Sequence, residues 1–348
     1  MRPRLRTLAA LLPALFLAPL AACGGSSAAG PAGPTGPGPV APGGRPSQLF
    51  SAPGNPWNQP VDAATVATGS GAMLTALQAR GGFGGGHLQV DFSLAVLWAS
   101  GAVPAAPFTP AGGYFSPDCD LLGAFPLPSG GALEGEGGYA CTGGGDCHLL
   151  VVDEAARTLT EAWAADASGG RVTATCAVVW DLDAAYPADL RGDQCTSADA
   201  AGLPMSALVF DADEVAAGVI DHAIRFILPN DHMAAGVYVR PATHAGGPTG
   251  AAGLPPYGTR LRLKASTSVT GLSRSAQVVA AALKKYGMIL SDGGTIALTA
   301  ADDRFTTHQW ADLGFDSHAL FGLAVSDFEV IDTGPTIPRT NDCVRNGR

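Results

Sequence analysis

Apolar and polar residues alternate along Leu88–Trp98: Leu88, Val90, Phe92, Leu94, Val96 and Trp98 stand against Gln89, Asp91, Ser93 and Ala95. A period of two over that length predicts a half-buried strand. His148 to Val152 and Leu159 to Trp163 predict a hairpin around Glu154-Ala155-Ala156-Arg157, and Val172 to Leu182 predicts another strand. Ile220, His222, Ile224 and Phe226 share one parity, which places His222 inward and Arg225 on the opposite face. Val237 to Arg240, Arg260 to Ala265 and Phe328 to Ile331 complete the set, separated by segments rich in Gly and Pro. Helical spacing is rarer. Val278, Val279, Ala282, Leu283 and Tyr286 predict a helix over Ser273 to Tyr286, with Gly287 at its C-terminal cap. Asp211 and Glu214 have the spacing of a capping box for a short helix ending at Gly218, and Ala63 to Arg80 reads as a third helix. The expected fold is mainly β: an antiparallel, sandwich-like single domain over 49–348 with a few packed helices.

The N-terminus has a different pattern. Arg2, Arg4 and Arg6 precede an apolar run from Leu8 to Leu20, followed by Leu20-Ala21-Ala22-Cys23. A basic start, a short apolar run and small residues read as an export signal over 1–22, too short for a spanning helix, which needs about 20 apolar residues. Leu-Ala-Ala-Cys matches the lipobox of bacterial lipoproteins, so Cys23 is the expected site of lipidation and the membrane the expected partner. Gly24 in place of Asp favours the outer membrane. Residues 23–48 are almost wholly Gly, Ala, Pro and Ser, the composition of a flexible spacer.

Composition narrows the chemistry. The net charge is -10, and moves to -13 when the three arginines of the signal leave. An acidic chain with no basic cluster argues against nucleic acid. Cys119, Cys141, Cys147, Cys176, Cys195 and Cys343 are an even number in an oxidising compartment, so three disulfides are expected, with Cys141 and Cys147 pairing locally. A zinc site at Cys141, Cys147 and His148 is the rival, but paired C-x-x-C ligands are absent; Asp118 and Asp120 alone are a weak calcium signal. Gly81 to Gly86 precedes a strand instead of opening a helix after one, so no nucleotide cofactor is expected.

Candidate chemistry concentrates in a few polar segments. Glu134 and Glu136, two carboxylates among glycines, are acid/base candidates, since close carboxylates push their pKa values apart. The segment from Gln194 to Asp199 includes Ser197, while Arg240 and His244 lie where a strand enters a Gly-rich loop. Glu134, Glu136, Asp199 and His244 are therefore the catalytic candidates, with Asp91, Gln194, Ser197 and Arg240 as binding candidates; no metal or cofactor is assigned. Glu161 and Asp153 read as strand-face or turn charges. Three functions stay open: a glycan hydrolase using carboxylates, with tryptophans to stack on sugar; a non-catalytic envelope protein binding glycan or protein; and a hydrolase using Ser197 with His222 or His244.

The runs Gly130-Gly131-Ala132-Leu133-Glu134-Gly135-Glu136, Gln194 to Gly202, Tyr238 to His244 and Leu283-Lys284-Lys285-Tyr286-Gly287-Met288 resemble those of a group of uncharacterised secreted proteobacterial lipoproteins. The resemblance spans about Asn55 to Arg345. It implies export and one domain, and transfers no catalytic residue.

Replacing Cys23 by Ser should abolish lipidation and release the protein from membranes; metabolic labelling with palmitate and membrane fractionation read the outcome, and an unchanged membrane-bound fraction would reject the lipobox.

Overall fold

The structure, a computed structural model, describes residues 49–346; the expected signal, Cys23 and spacer lie outside the described residues. Most of the regular structure is strand, with three α-helices among the described residues. A six-stranded sheet runs, in spatial order, Val90–Leu94, Leu298–Ala301, Ile224–Leu228, Met288–Gly293, Arg260–Leu263, Phe328–Val330. A four-stranded sheet comprises Val96–Ala99, Leu149–Asp153, Thr158–Trp163 and Cys176–Asp181, and a three-stranded one Ala124–Pro126, Ala105–Pro110 and Val172–Ala174. Antiparallel ladders predominate, as expected, including the hairpin of Leu149–Asp153 with Thr158–Trp163. The sheets are nonetheless mixed, because Val90–Leu94, Ile224–Leu228, Val96–Ala99 and Ala105–Pro110 each gain a parallel neighbour.

The alternating segment Leu88–Trp98 is two strands, a correction to its reading as one. The chain leaves the six-stranded sheet after Leu94 and enters the four-stranded sheet at Val96. Leu94, Val96 and Trp98 pack into the main core, whereas Ala95 and Leu97 face a second core shared with Phe108, Phe125 and Val172. The four-stranded sheet is thus apolar on both faces. Val172 to Leu182 divides in the same way around Thr175. Met288–Gly293 escaped the periodicity because its first four residues are all buried, and a short apolar run carries no face signal.

The helix signals survive well. In α2, Ala212–Ala217, the Asp211 carboxylate accepts from Glu214 N and the Glu214 carboxylate from Asp211 N, with Gly218 left-handed at the C-terminus (φ 81°). Ser273 caps α3, Arg274–Lys285, by accepting from Ala276 N. Gly287 follows at φ 71°, and a Cβ there would stand 2.5 Å from Leu261 O, so the turn requires glycine. The first helix, α1, is confined to Ser70–Ala79. No helix among the described residues is long and apolar enough to cross a membrane.

Three disulfides join Cys119 to Cys176, Cys141 to Cys147 and Cys195 to Cys343. The zinc alternative is corrected accordingly: both cysteines are bonded to each other, and the His148 ring turns to Glu134. Asp118 and Asp120 do not form a calcium pair either, since Asp120 is bound by Arg191 and Arg345 while Asp118 accepts from Thr196 N.

Glu161 corrects its assignment as a surface charge. It is fully buried and accepts from Trp180 Nε1 (3.1 Å), Met205 N (3.2 Å), Ser206 N (2.8 Å) and Ser206 Oγ (2.9 Å). One side chain so ties the four-stranded sheet to the 205–206 turn. Glu161→Ala should cost about 3–5 kcal/mol by leaving buried donors unpaired, and Glu161→Gln distinctly less, as read from chemical denaturation midpoints at constant slope. Equal stability of Glu161→Ala and the parent chain would disprove this role.

Candidate functional site

The site is organised by Arg225. Its strand, Ile224–Leu228, buries Ile224 and Phe226 in the main core and puts Arg225 on the other face, as parity required. That face is also buried. Arg225 Nε donates to Asp199 Oδ1 (3.1 Å), Nη1 to Thr299 Oγ1 (3.1 Å) and Nη2 to Asp292 Oδ2 (2.9 Å). Thr299 and Asp292 come from the strands on either side, and Asp199 from the 194–204 loop. Burial pushes the pKa of both Asp199 and Asp292 up, against the pull of the guanidinium they share. One cation balances one carboxylate, so the pair keeps a proton well above the ordinary carboxylate range.

A second pair abuts the first. His148 Nδ1 lies 2.6 Å from Glu134 Oε2, and His148 Nε2 lies 3.1 Å from Ala198 O. Both ring nitrogens face acceptors, which favours the imidazolium. Burial opposes that charge, but Glu134 outweighs it and the His148 pKa is raised. Glu134 shows the reverse: desolvation is overcome by His148, and its pKa falls to about 2. Ser93 Oγ lies 2.6 Å from Asp91 Oδ2 and 3.2 Å from Glu134 Oε1, so a single hydroxyl bridges these two carboxylates. Asp91 is in turn the ladder partner of Thr299.

Asp292 carries the cluster to the surface. Asp199 is fully buried, but the Asp292 side chain is 22% exposed and lines a cleft of about 400 Å³. Phe115 and Trp163, with ring centroids 6.0 Å apart, form an aromatic wall. Asp146, held in the Cys141–Cys147 loop, also lines the cleft, accepts from Trp163 Nε1 (3.1 Å) and raises the pKa of Asp292. His244 adds an imidazole whose Nδ1 lies 3.0 Å from Ala200 O. That contact fixes the proton on Nδ1 and leaves Nε2 as an acceptor. Burial, and to a lesser degree Arg339, keeps this ring neutral by lowering its pKa. Gly246 makes the close fit possible, because a Cβ there would stand 2.7 Å from His244 Cε1.

The expected residues are partly brought together. The Gln194–Asp199 segment does lie beside Arg240 and His244: Arg240 pairs with Asp193 (2.8 Å), and Thr243 Oγ1 donates to Cys195 O (2.7 Å). Glu134 joins through His148, and Asp91 through Ser93. Glu136 stands apart, its carboxylate taken up by Thr142 and Gly143 of the disulfide loop. Arg240 is held by Asp193 and the Ala242 carbonyl, and Gln194 bonds Tyr238 and Pro338, so both act as braces of the segment. Ser197 lines the cleft, but its hydroxyl lies 2.9 Å from Leu203 O and 3.1 Å from Asp199 O. His222 is a core histidine bound to Glu214 and Ala223 O. A Ser197–His222 couple is therefore not formed. Sequence reasoning assigned no site role to Asp292, Asp146 or Arg339, placed Arg225 only by parity, and weighed His148 only as a zinc ligand. Only Asp292 had a local signal, a carboxylate followed by Gly293-Gly294 at a strand end.

Comparison with protein-family models, with curated proteins and with solved structures finds no match.

The Glu134–His148 pair should appear in the acid limb of stability. Glu134 has a depressed folded pKa, so its contribution is present above about 4.5 and is lost as pH falls toward about 2. Glu134→Gln should lose up to roughly 3 kcal/mol at pH 7 and flatten the decline between pH 5 and 2. Denaturation midpoints across that range test it; an unchanged acid limb would contradict the pairing.

Proposed function

We propose that this domain is a glycan-active hydrolase of the bacterial envelope, working by carboxylate acid/base chemistry in the cleft at Asp292. One observation carries the reading: Asp292, a carboxyl whose pKa is raised chiefly by burial, lies in a cleft walled by Trp163 and Phe115 and shared with a second acidic side chain, Asp146. Aromatic faces bind the apolar faces of sugar rings, and two carboxyls flanking one bond are the usual equipment for glycoside hydrolysis. Asp292 is the general acid that protonates the leaving oxygen. Asp146 is the carboxylate on the attacking side, oriented by Trp163 Nε1. His244 Nε2 accepts a hydroxyl of the substrate. Arg225 and Asp199 are positioning residues that hold Asp292 and set its proton affinity. Of the catalytic candidates read from sequence, His244 alone lines this cleft; Glu134 and Asp199 act behind it.

The lipobox Leu20-Ala21-Ala22-Cys23 supports an address at the outer membrane, with residues 23–48 spacing the domain from its lipid. Ser197 hydrolysis is disfavoured because that hydroxyl is engaged by backbone carbonyls.

The test is a panel of envelope and plant-type oligosaccharides, followed by variants on whichever is cleaved. Asp292→Asn should lower kcat at least 100-fold with little change in KM, while Trp163→Ala should raise KM about tenfold. Wild-type activity should fall on the alkaline side as the Asp199–Asp292 pair gives up its proton, and Asp199→Asn should move that limb. Full activity in Asp292→Asn would refute the assignment. Binding without cleavage by the parent chain would leave a lectin-like protein instead of a hydrolase.

A further inference from the structure

Arg339 lines the same cleft and differs from most arginines of the domain in its partners. Arg80, Arg157, Arg191, Arg225, Arg240, Arg262, Arg304 and Arg345 each pair with a carboxylate. Arg339 has no carboxylate partner among the described residues. Its Nη1 donates to Ala245 O (2.8 Å) and approaches Gly246 O (3.4 Å), which anchors one corner of the guanidinium. No hydrogen bond from Nε or Nη2 is made within the described residues. Those two parallel N–H groups are the edge that grips a planar carboxylate with two bonds.

The backbone that carries this side chain is also braced. Arg339 N donates to Gly236 O (2.9 Å), Thr340 N to Gln194 Oε1 (2.9 Å), and Cys343 is bonded to Cys195. An anchored guanidinium with a vacant edge loses little freedom on binding an anion. In a chain of net charge -10, an unpaired, braced cation in the cleft is a local exception to the field around it. The lining carries acids at Asp146 and Asp292 and a cation at Arg339, with His244 under the opposed influence of Asp118 and Arg339. A ligand with one anionic group is oriented by that division, its charge on Arg339 and its neutral ring toward the acids.

Resting on the glycan reading above, we infer that the substrate is an acidic glycan, and that Arg339 is the specificity residue that binds a ring carboxylate through its Nε and Nη2 donors. The preference is for uronate-type sugars over neutral ones of the same size.

The experiment measures binding of the mature chain to galacturonate and glucuronate oligomers, with galactose and glucose oligomers of equal length as neutral probes and a sulfated galactose oligomer as a second anion. Calorimetry or cleft tryptophan fluorescence gives the Kd. The parent chain should bind a uronate oligomer at least tenfold more tightly than its neutral counterpart and more tightly than the sulfated one, with the advantage shrinking as salt rises. Arg339→Gln should remove the advantage, weakening uronate binding at least tenfold and neutral-sugar binding far less, and Arg339→Lys should restore part of it. If Arg339→Gln does not fold, as judged by circular dichroism, Arg339→Lys alone decides, with an expected loss of about fivefold for uronate. Equal affinity for uronate and neutral oligomers, a preference for sulfate, or a uronate preference that survives in Arg339→Gln (or undiminished in Arg339→Lys where Gln fails to fold) would overturn this inference and leave the glycan reading standing. Failure of the parent chain to bind any of these oligomers would overturn both.

Discussion

A buried guanidinium must be satisfied on every edge, and Arg225 meets that demand by drawing three parts of the chain onto one point. Asp199, Thr299 and Asp292 each take one of its nitrogens. Removing a buried charge from water costs several kcal/mol, so the cation is tolerated only where such partners converge. The convergence sets the position of the 194–204 loop over the six-stranded sheet and aims Asp292 at the cleft. It also sets the proton count. With one guanidinium shared by the buried Asp199 and the partly exposed Asp292, the arrangement is electrically balanced when one proton stays on the pair.

The surrounding contacts extend that constraint. His148 links Glu134 to the Ala198 carbonyl, so the loop carrying Asp199 is also tied to the head of the Leu149–Asp153 strand of the four-stranded sheet. The Cys195–Cys343 bond and the Thr243–Cys195 contact fasten the same loop to the 240–244 turn and the C-terminal segment. The cleft therefore lies where two sheets and three disulfide-braced loops meet. A strand end carries Asp292, disulfide-bonded segments carry Asp146 and Arg339, and the 240–247 loop carries His244. This division suits a site that must hold a proton in place while recognising a polar ligand.

Much of the local architecture was legible in the sequence. The Asp211–Glu214 box, the Ser273 and Gly287 signals, the 149–163 hairpin and the Cys141–Cys147 pair all depend on residues a few positions apart, so spacing alone reveals them. Burial of Asp199 beside a site was legible only as polarity in an apolar chain. Glu136 was misleading for the same reason that Glu134 was informative: adjacent carboxylates look alike in sequence, yet one meets His148 and the other meets Thr142.

Sequence by itself determined the three helices and the strands with clear alternation, that the domain is mainly β, and which polar stretches stand out from an apolar background, but not Ala105–Pro110, Met288–Gly293 or Leu298–Ala301. These follow from periodicity, capping and turn chemistry, whose energies arise within a few residues. Only the tertiary structure decided that Leu88–Trp98 serves two sheets, that both faces of the Arg225 strand are buried, and that Asp292 and not Glu136 reaches the cleft. Each of those depends on what packs against a residue from more than fifty positions away, as Arg225 shows with Asp292 and Thr299 (sequence separations 67 and 74). Alternation specifies that a strand has two faces, but the neighbour that covers the second face decides whether a charged side chain there meets water or becomes the centre of a site.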